Sequence, residues 1–334
     1  MKESLFYKKL KNNLVNCNLC PRNCIIPNQN FGKCLARKNI DGKLYSLVYG
    51  KAVSIALDPI EKKPLFHFLP GQKTISFGTA GCNLHCLHCQ NWQISQNSPD
   101  IVPFEQTTPK QIIGEAKKNN SKIISYTYNE PTVFYEYALD TMKIAKKEKM
   151  RNVVVSNGFI NKKPLENWAK FIDATNIDLK GGKKFYQNIC SAWPEPILKA
   201  IELYHKKKIW LEITSLIVPG HNDNEKDIKE VVKFIKNLSE NIPVHFSAFY
   251  PTYKMKNIPR TDEKTLLKAR NIAIKAGLNY VYAGNILNRE TSTTFCPSCK
   301  KSLIIRQGFF ILENRIKNGK CPYCNEKIAG VWKH

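Results

Sequence analysis

Apolar, β-branched runs recur along the middle of the chain at residues 74–77, 122–128, 152–155, 174–178, 209–218 and 244–249. Each is followed by a stretch whose apolar residues return every three or four positions, at 109–118, 133–147, 164–171, 197–206, 225–238 and 263–276. Continuous short runs suit strands buried on both faces, and the longer period suits amphipathic helices. The alternation predicts parallel strands joined by right-handed crossovers, in a partial (β/α)6 barrel or an open doubly wound sheet. A last short run at 280–283 closes or abuts the sheet. No GxGxxG follows the first run; Gly78 to Gly81 leads into cysteines instead, which disfavours dinucleotide binding at that turn.

The flanks differ. Residues 43–48 and 52–57 surround Tyr49-Gly50-Lys51 and read as a hairpin. Both ends are rich in cysteine, and no Ser/Gly linker sets them apart. We divide the chain into a Cys-rich, metal-binding hairpin region (1–70), an α/β core (71–290) and a metal-knuckle region (291–334).

Composition excludes some functions. With 43% apolar residues the 334-residue chain can bury a core, so a disordered polybasic chain is ruled out. No run of eighteen apolar residues occurs, and the start lacks the apolar stretch of a signal peptide, so the expectation is a cytoplasmic protein that does not enter membranes. In a reducing compartment, twelve cysteines read as metal ligands rather than disulfides. The formal charge of +25 comes from 52 Lys+Arg, only eight of them arginine, against 27 Asp+Glu. Phosphate recognition favours clustered cations and arginine, so we read a lysine-rich surface and disfavour nucleic acid as a partner. The competing readings are a zinc-dependent nucleic-acid-binding protein and an RNA-modifying enzyme.

The cysteines fall into three groups and one outlier. Cys82, Cys86 and Cys89 follow the first strand with C-x3-C-x2-C spacing. Three thiolates can hold three irons of a [4Fe–4S] cube and leave the fourth open to a ligand. A zinc site completed by His85 or His88 is the alternative, although zinc knuckles usually separate their ligand pairs further. Asn91 and Trp92, just beyond, are placed to wall the site. Cys296, Cys299, Cys321 and Cys324 form two C-x2-C knuckles around a hairpin-like insert, the pattern of a zinc ribbon. Cys17, Cys20, Cys24 and Cys34 enclose either zinc or an auxiliary iron–sulfur cluster. Cys190 stands alone, as a small buried hydrophobe or as a hydrogen donor near the reaction.

The triad after the first strand of a repeated βα core resembles the radical S-adenosylmethionine (SAM) superfamily, with His88 at a position that is commonly aromatic. The resemblance implies that SAM chelates the open iron and is cleaved, by an electron from a low-potential donor, to methionine and a 5′-deoxyadenosyl radical. Such a ligand needs a cation for its carboxylate, acceptors for its ammonium and partners for its ribose. Lys180, Asn129-Glu130 and Ser156-Asn157, at successive strand ends, can supply these in turn.

Residues 58–67 (DPIEKKPLFH), 78–83, 89–92, 127–131 (TYNEP), 156–159 (SNGF), 178–180 (DLK) and 217–220 (IVPG) together are similar to the AmmeMemoRadiSam radical SAM enzymes, relatives of the pyruvate formate-lyase activating enzyme. By that resemblance Tyr128 to Pro131 stand at the GGEP-type motif that binds the SAM ammonium, with Tyr128-Asn129 replacing two glycines. Ser156 and Asn157 stand at a Thr-Asn pair, with Val155 where the activating enzyme has Asp. Asp178 and Lys180 match an Asp-Leu-Lys motif whose lysine contacts SAM, and His245 aligns with a SAM-contacting histidine. Ala248 replaces an arginine common in that family. The family name implies partnership with AMMECR-type and Memo-type proteins. Kinship with activating enzymes implies hydrogen abstraction from a glycine of a partner protein, and a small-molecule substrate is equally compatible.

Overall fold

The computed structural model describes residues 1–333. One eight-stranded sheet lies in strict chain order: β1 (Ser54–Pro59), β2 (Lys73–Gly78), β3 (Ile123–Tyr126), β4 (Arg151–Ser156), β5 (Ala174–Asp178), β6 (Trp210–Ile217), β7 (Val244–Ala248) and β8 (Val281–Gly284). β2 to β8 are parallel, and β1 pairs antiparallel with β2. The run at 280–283 is therefore a seventh parallel strand. Among the described residues the edge strands β1 and β8 do not pair, so the sheet is an open partial barrel.

Besides a single helical turn at Trp92–Ser95, seven helices among the described residues connect or cover the strands: α1 (Pro109–Lys118), α2 (Tyr135–Lys147), α3 (Lys162–Trp168), α4 (Lys183–Cys190), α5 (Glu195–Lys206), α6 (Glu225–Leu238) and α7 (Glu263–Lys275). α1 begins where Thr108 and Gln111 form a capping box with Pro109 in the first turn, local signals that fix its start. α4 has no counterpart in the sequence reading. Phe185, Tyr186, Ile189 and Cys190 give it one buried face on only eight residues, too few for a clear helical period. Among the described residues no helix is long and apolar enough to cross a membrane.

The hairpin expected around Tyr49-Gly50-Lys51 does not form. The tight turn is Asp41-Gly42, with φ of 50° and 76°, between strands Arg37–Ile40 and Lys43–Ser46. An Asp-Gly pair suits a turn that needs two positive φ values. Residues 54–59 leave instead for the core as β1, because β2 would otherwise present an unpaired backbone edge beside a buried face. The N-terminal region is riveted to α2 by Arg37, whose Nη2 donates to both oxygens of Glu136 at 2.7 and 2.8 Å, with both side chains 1% exposed.

Residues 60–69 fill the end of the barrel opposite the C-terminal strand ends. Ile60, Leu65, Phe68 and Leu69 pack there against Ile123, Val153 and Ala174, near the starts of three strands. The same segment carries the C-terminal region: the Leu69 N–H donates to Val331 O at 2.7 Å, and Arg306 donates to Phe66 O at 2.7 Å. His67 is wholly buried at this seam, with Nδ1 2.7 Å from Ala329 O and Nε2 2.6 Å from the Tyr282 hydroxyl. Burial lowers its pKa to about 4; nearby Arg306 and His245 push the same way, against Glu212 and the Ala329 carbonyl.

In the unfolded chain the imidazole titrates near 6.5. Between about 4 and 6.5 the unfolded state therefore binds more protons, and stability falls as pH falls through that window. We expect acidification from pH 6.5 to 5 to cost roughly 2 kcal/mol in urea unfolding. His67→Gln should flatten the slope over that range; an unchanged slope would refute the assignment to His67.

Candidate active site

β2 ends at Gly78, and the chain winds through a loop that carries Cys82, Cys86 and Cys89 across the C-terminal end of the barrel. The loop has little regular structure of its own, so its neighbours fix it. The His85 and Leu87 N–H groups donate to Cys190 O (3.2 Å) and Ile189 O (2.9 Å), and the Gly81 N–H donates to Ile94 O (2.8 Å). The unforeseen helix α4 thus ends where it pins the triad.

The loop borders a cavity of about 230 Å³. Of the residues singled out from sequence, Cys82, Cys86, Cys89, Asn91, Tyr128, Asn129, Asn157, Asp178 and Lys180 line it. Lys180 Nζ lies 2.6 Å from Asp178 Oδ2. Burial works against its charge, but Asp178 and the Cys86 and Cys190 thiols outweigh it and hold its pKa well above the ordinary lysine value. The site keeps a fixed cation. Burial pushes the Cys82 and Cys89 thiols up, whereas a hydrogen bond with Cys190 lowers that of Cys86. Burial, together with Lys180 and His221, lowers the pKa of His88 to about 3, leaving a neutral ring whose buried Nδ1 lacks a hydrogen-bond partner. Cys86, His88 and Cys190 bring one ligand atom each within 4.8 Å of one another.

Of Tyr128 and Asn129, which the resemblance sets at two glycines, only Tyr128 keeps a glycine-like backbone. Tyr128 has φ 70°, a left-handed conformation that costs a non-glycine residue about 1–3 kcal/mol. Its hydroxyl donates to Asp58 Oδ2 at 2.9 Å, and Lys63 Nζ sits 4.9 Å from its ring centroid, contacts that offset the strain. Asn91 Nδ2 donates to Tyr128 O at 2.6 Å. Asn129 Nδ2 donates to Thr79 O, and to Gly81 O at 3.2 Å. Its buried Oδ1 has no partner.

Glu130, Ser156 and His245 are not among the residues that line the cavity. Glu130 is fully buried and ties β3 to β4, accepting from Thr132 Oγ1 (2.6 Å), Ser156 Oγ (2.8 Å) and the Asn157 N–H (2.8 Å). His245 pairs with Glu212 at 2.7 Å and stacks on Tyr282, the bonded core histidine that its position on a buried strand allows. Conversely, Thr214, Ser247 and Asn285 line the cavity without having been singled out. Thr214 lies in register with Asp178 and could have been found from strand alignment. Asn285 follows β8, the run at 280–283 expected to close or abut the sheet, but lies beyond the run itself.

The cysteine groups differ in spacing. Cys296, Cys299, Cys321 and Cys324 bring all four sulfurs within 4.8 Å, with pairs at 3.6 and 3.7 Å. Among the described residues, Cys17, Cys20, Cys24 and Cys34 do not gather that closely. None of the twelve cysteines forms a disulfide.

An α/β partial barrel with three thiolates after its first parallel strand defines a class of protein, and comparison with known families agrees. The Radical SAM superfamily model matches residues 77–235, from β2 through most of α6, and the chain belongs to that superfamily. It is 47% identical over 331 residues to the uncharacterized protein MJ0808 of Methanocaldococcus jannaschii, covering 98% of this chain and 99% of the relative. A radical SAM methyltransferase from Sphaerobacter thermophilus superposes with a TM-score of 0.51 at 15% identity, covering 65% of this chain and 67% of that one. Streptococcus suis SuiB bound to S-adenosylmethionine gives 0.52 at 15% identity, over 68% and 53%. At such identities the likeness is one of fold.

Membership implies a [4Fe–4S] cluster and SAM. The residues present fit both. The three thiols border a cavity that Lys180 and Asn129 also line, and the buried Asn129 Oδ1 has no partner among the described residues.

Proposed function

We propose that this chain cleaves SAM reductively and abstracts hydrogen from a substrate, as a radical SAM enzyme of the AmmeMemoRadiSam, activating-enzyme-like kind. The observation that carries the reading is the pairing, in one thiol-lined cavity, of a fixed cation on Lys180 with the unpartnered Oδ1 of Asn129. Cys82, Cys86 and Cys89 would hold the cluster, which would supply the one electron needed to break the C5′–S bond of SAM into methionine and a 5′-deoxyadenosyl radical. The chain's own residues position the ligand. Lys180 receives the SAM carboxylate, oriented by Asp178. Asn129 Oδ1 accepts from the ammonium, while its Nδ2 keeps the triad loop closed on β3. Asn157 reaches the ribose side and touches Cys82 Sγ at 3.8 Å, and His88 offers a neutral ring to the adenine.

A low-potential electron donor is required. The substrate we propose is either a glycine of a partner protein or a small molecule, with AMMECR-type and Memo-type proteins as partners, in the cytoplasm. The C-terminal four-thiolate group is read as a structural zinc ribbon: tetrahedral Zn–S bonds of about 2.3 Å require sulfur separations of about 3.8 Å, close to the 3.6 and 3.7 Å observed.

The test is anaerobic reconstitution, reduction with SAM present, and measurement of 5′-deoxyadenosine; an intact cluster that releases none would overturn the proposal. Lys180→Ala should weaken SAM binding roughly 10- to 100-fold, the loss of a charge-assisted hydrogen bond worth about 1.5–3 kcal/mol. Titration of SAM against the cluster's EPR signal measures it, and an unchanged affinity would remove Lys180 from the site.

A further inference from the structure

The N-terminal cysteines and the triad nearly share a wall. The Arg22 Nε–H donates to Asn83 O at 2.6 Å and its Nη2 to Ser191 O at 2.6 Å, one residue beyond Cys82 and Cys190 respectively. Cys34 O presses so closely on Gly81 that a Cβ there would lie 2.5 Å away. Behind this contact Cys17, Cys20, Cys24 and Cys34 line a single cavity of about 20 Å³, bounded also by Leu19, Ile26 and Val133.

Two metals could be held by four thiolates, and they differ in size. Zinc needs its sulfurs about 3.8 Å apart, as the C-terminal group has them. A [4Fe–4S] cube binds each cysteine at a different corner, which spreads the sulfurs to about 6 Å and leaves the cube's volume between them. The N-terminal four line one cavity and, among the described residues, no three of their sulfurs come within 4.8 Å of one another, so they do not close on a point. Backbone N–H groups of Leu19, Arg22 and Ala36 donate to the sulfurs of Cys17, Cys20 and Cys34, and such bonds stabilise thiolates. Arg37, which lines the cavity at 1% exposure, has a buried Nε–H without a partner, although its Nη atoms are taken by Glu136 and Leu5 O. A guanidinium donor with nothing to donate to is explained by an anionic occupant. Four thiolates on an oxidised [4Fe–4S] core carry a net charge of about −2.

We infer that Cys17, Cys20, Cys24 and Cys34 hold a second [4Fe–4S] cluster, fully ligated by protein and seated against the backbone that carries the catalytic triad. It is independent of SAM cleavage, because all four corners are closed to substrate.

The experiment uses the full chain, reconstituted anaerobically, as wild type and as the triple variant Cys82→Ala, Cys86→Ala, Cys89→Ala. The expected result is about eight iron and one zinc per wild-type chain, and about four iron and four sulfide in the variant, whose reduced EPR signal SAM leaves unchanged. The double variant Cys20→Ala, Cys34→Ala should keep about four iron with a signal that SAM does alter. A triple variant free of iron that binds about two zinc would overturn the inference. Should that variant fail to fold, the wild-type metal content decides: about four iron with two zinc refutes the second cluster.

Discussion

Replacing Cys86 alone by alanine is expected to abolish 5′-deoxyadenosine formation while leaving the chain folded and its C-terminal zinc in place. Cys86 sits in a loop fixed by the carbonyls of Ile189 and Cys190 and by the amide of Asn129, none of which needs the Cys86 sulfur. Loss of this thiol therefore leaves the loop's frame intact but removes one of three corners, and two thiolates do not retain a site-differentiated cube. Cys190, within reach of Cys86, is the only neighbouring cysteine able to substitute, so the measurement should include the Cys86→Ala, Cys190→Ala double variant. Residual cleavage in the single variant that vanishes in the double would show Cys190 acting as a replacement ligand. Full activity in both would rule out Cys86 as a ligand.

Gly81→Ala is expected to lower stability by about 3 kcal/mol and to loosen iron at both N-terminal and triad cysteines. Gly81 has φ +92°, and an added Cβ would meet Cys34 O at 2.5 Å and the Ala36 Cβ at 3.1 Å. The obstacle is backbone on a segment held between two cysteine groups, so it cannot rotate away as a flexible side chain would. Strain of about 1–3 kcal/mol for the conformation adds to the clash. Gly114, exposed in α1 with nothing within 4 Å of its added Cβ, is the control. There the same substitution should stabilise by about 0.5–1 kcal/mol, because alanine has the higher helix propensity. Urea unfolding and the rate of iron release to a chelator measure both variants. Equal effects at the two glycines would show that the contact with Cys34 does not matter.

Much of the barrel was legible because its strands and helices announce themselves over short windows. α6 fell at 225–238 as expected, and α1 at 109–118, since their periods are long and their starts are capped. The hairpin turns at Asp41-Gly42 and not at Tyr49-Gly50-Lys51, because Asp-Gly suits a tight turn with two positive φ values. α4 was missed because eight residues carry hardly two turns. At the site, spacing alone singled out the triad, while the polar strand ends gave residues that line the cavity and residues that do not. Asn157, Asp178 and Lys180 reach the cavity, whereas Ser156 bonds to Glu130 and His245 to Glu212, because alternate residues of a strand face opposite ways and one-residue register decides which side is met.

The sequence by itself determined the chemistry available: which thiolates stand close enough along the chain to share a metal, and which segments are strands. Only the tertiary structure decided what those groups do for one another. It set the four N-terminal cysteines apart along one small cavity and the four C-terminal ones around a point, and it left Arg37 Nε and Asn129 Oδ1 buried without partners among the described residues. Ligand spacing along the chain fixes loop length, whereas the distance between sulfurs depends on elements over a hundred residues away, such as Glu136 holding Arg37.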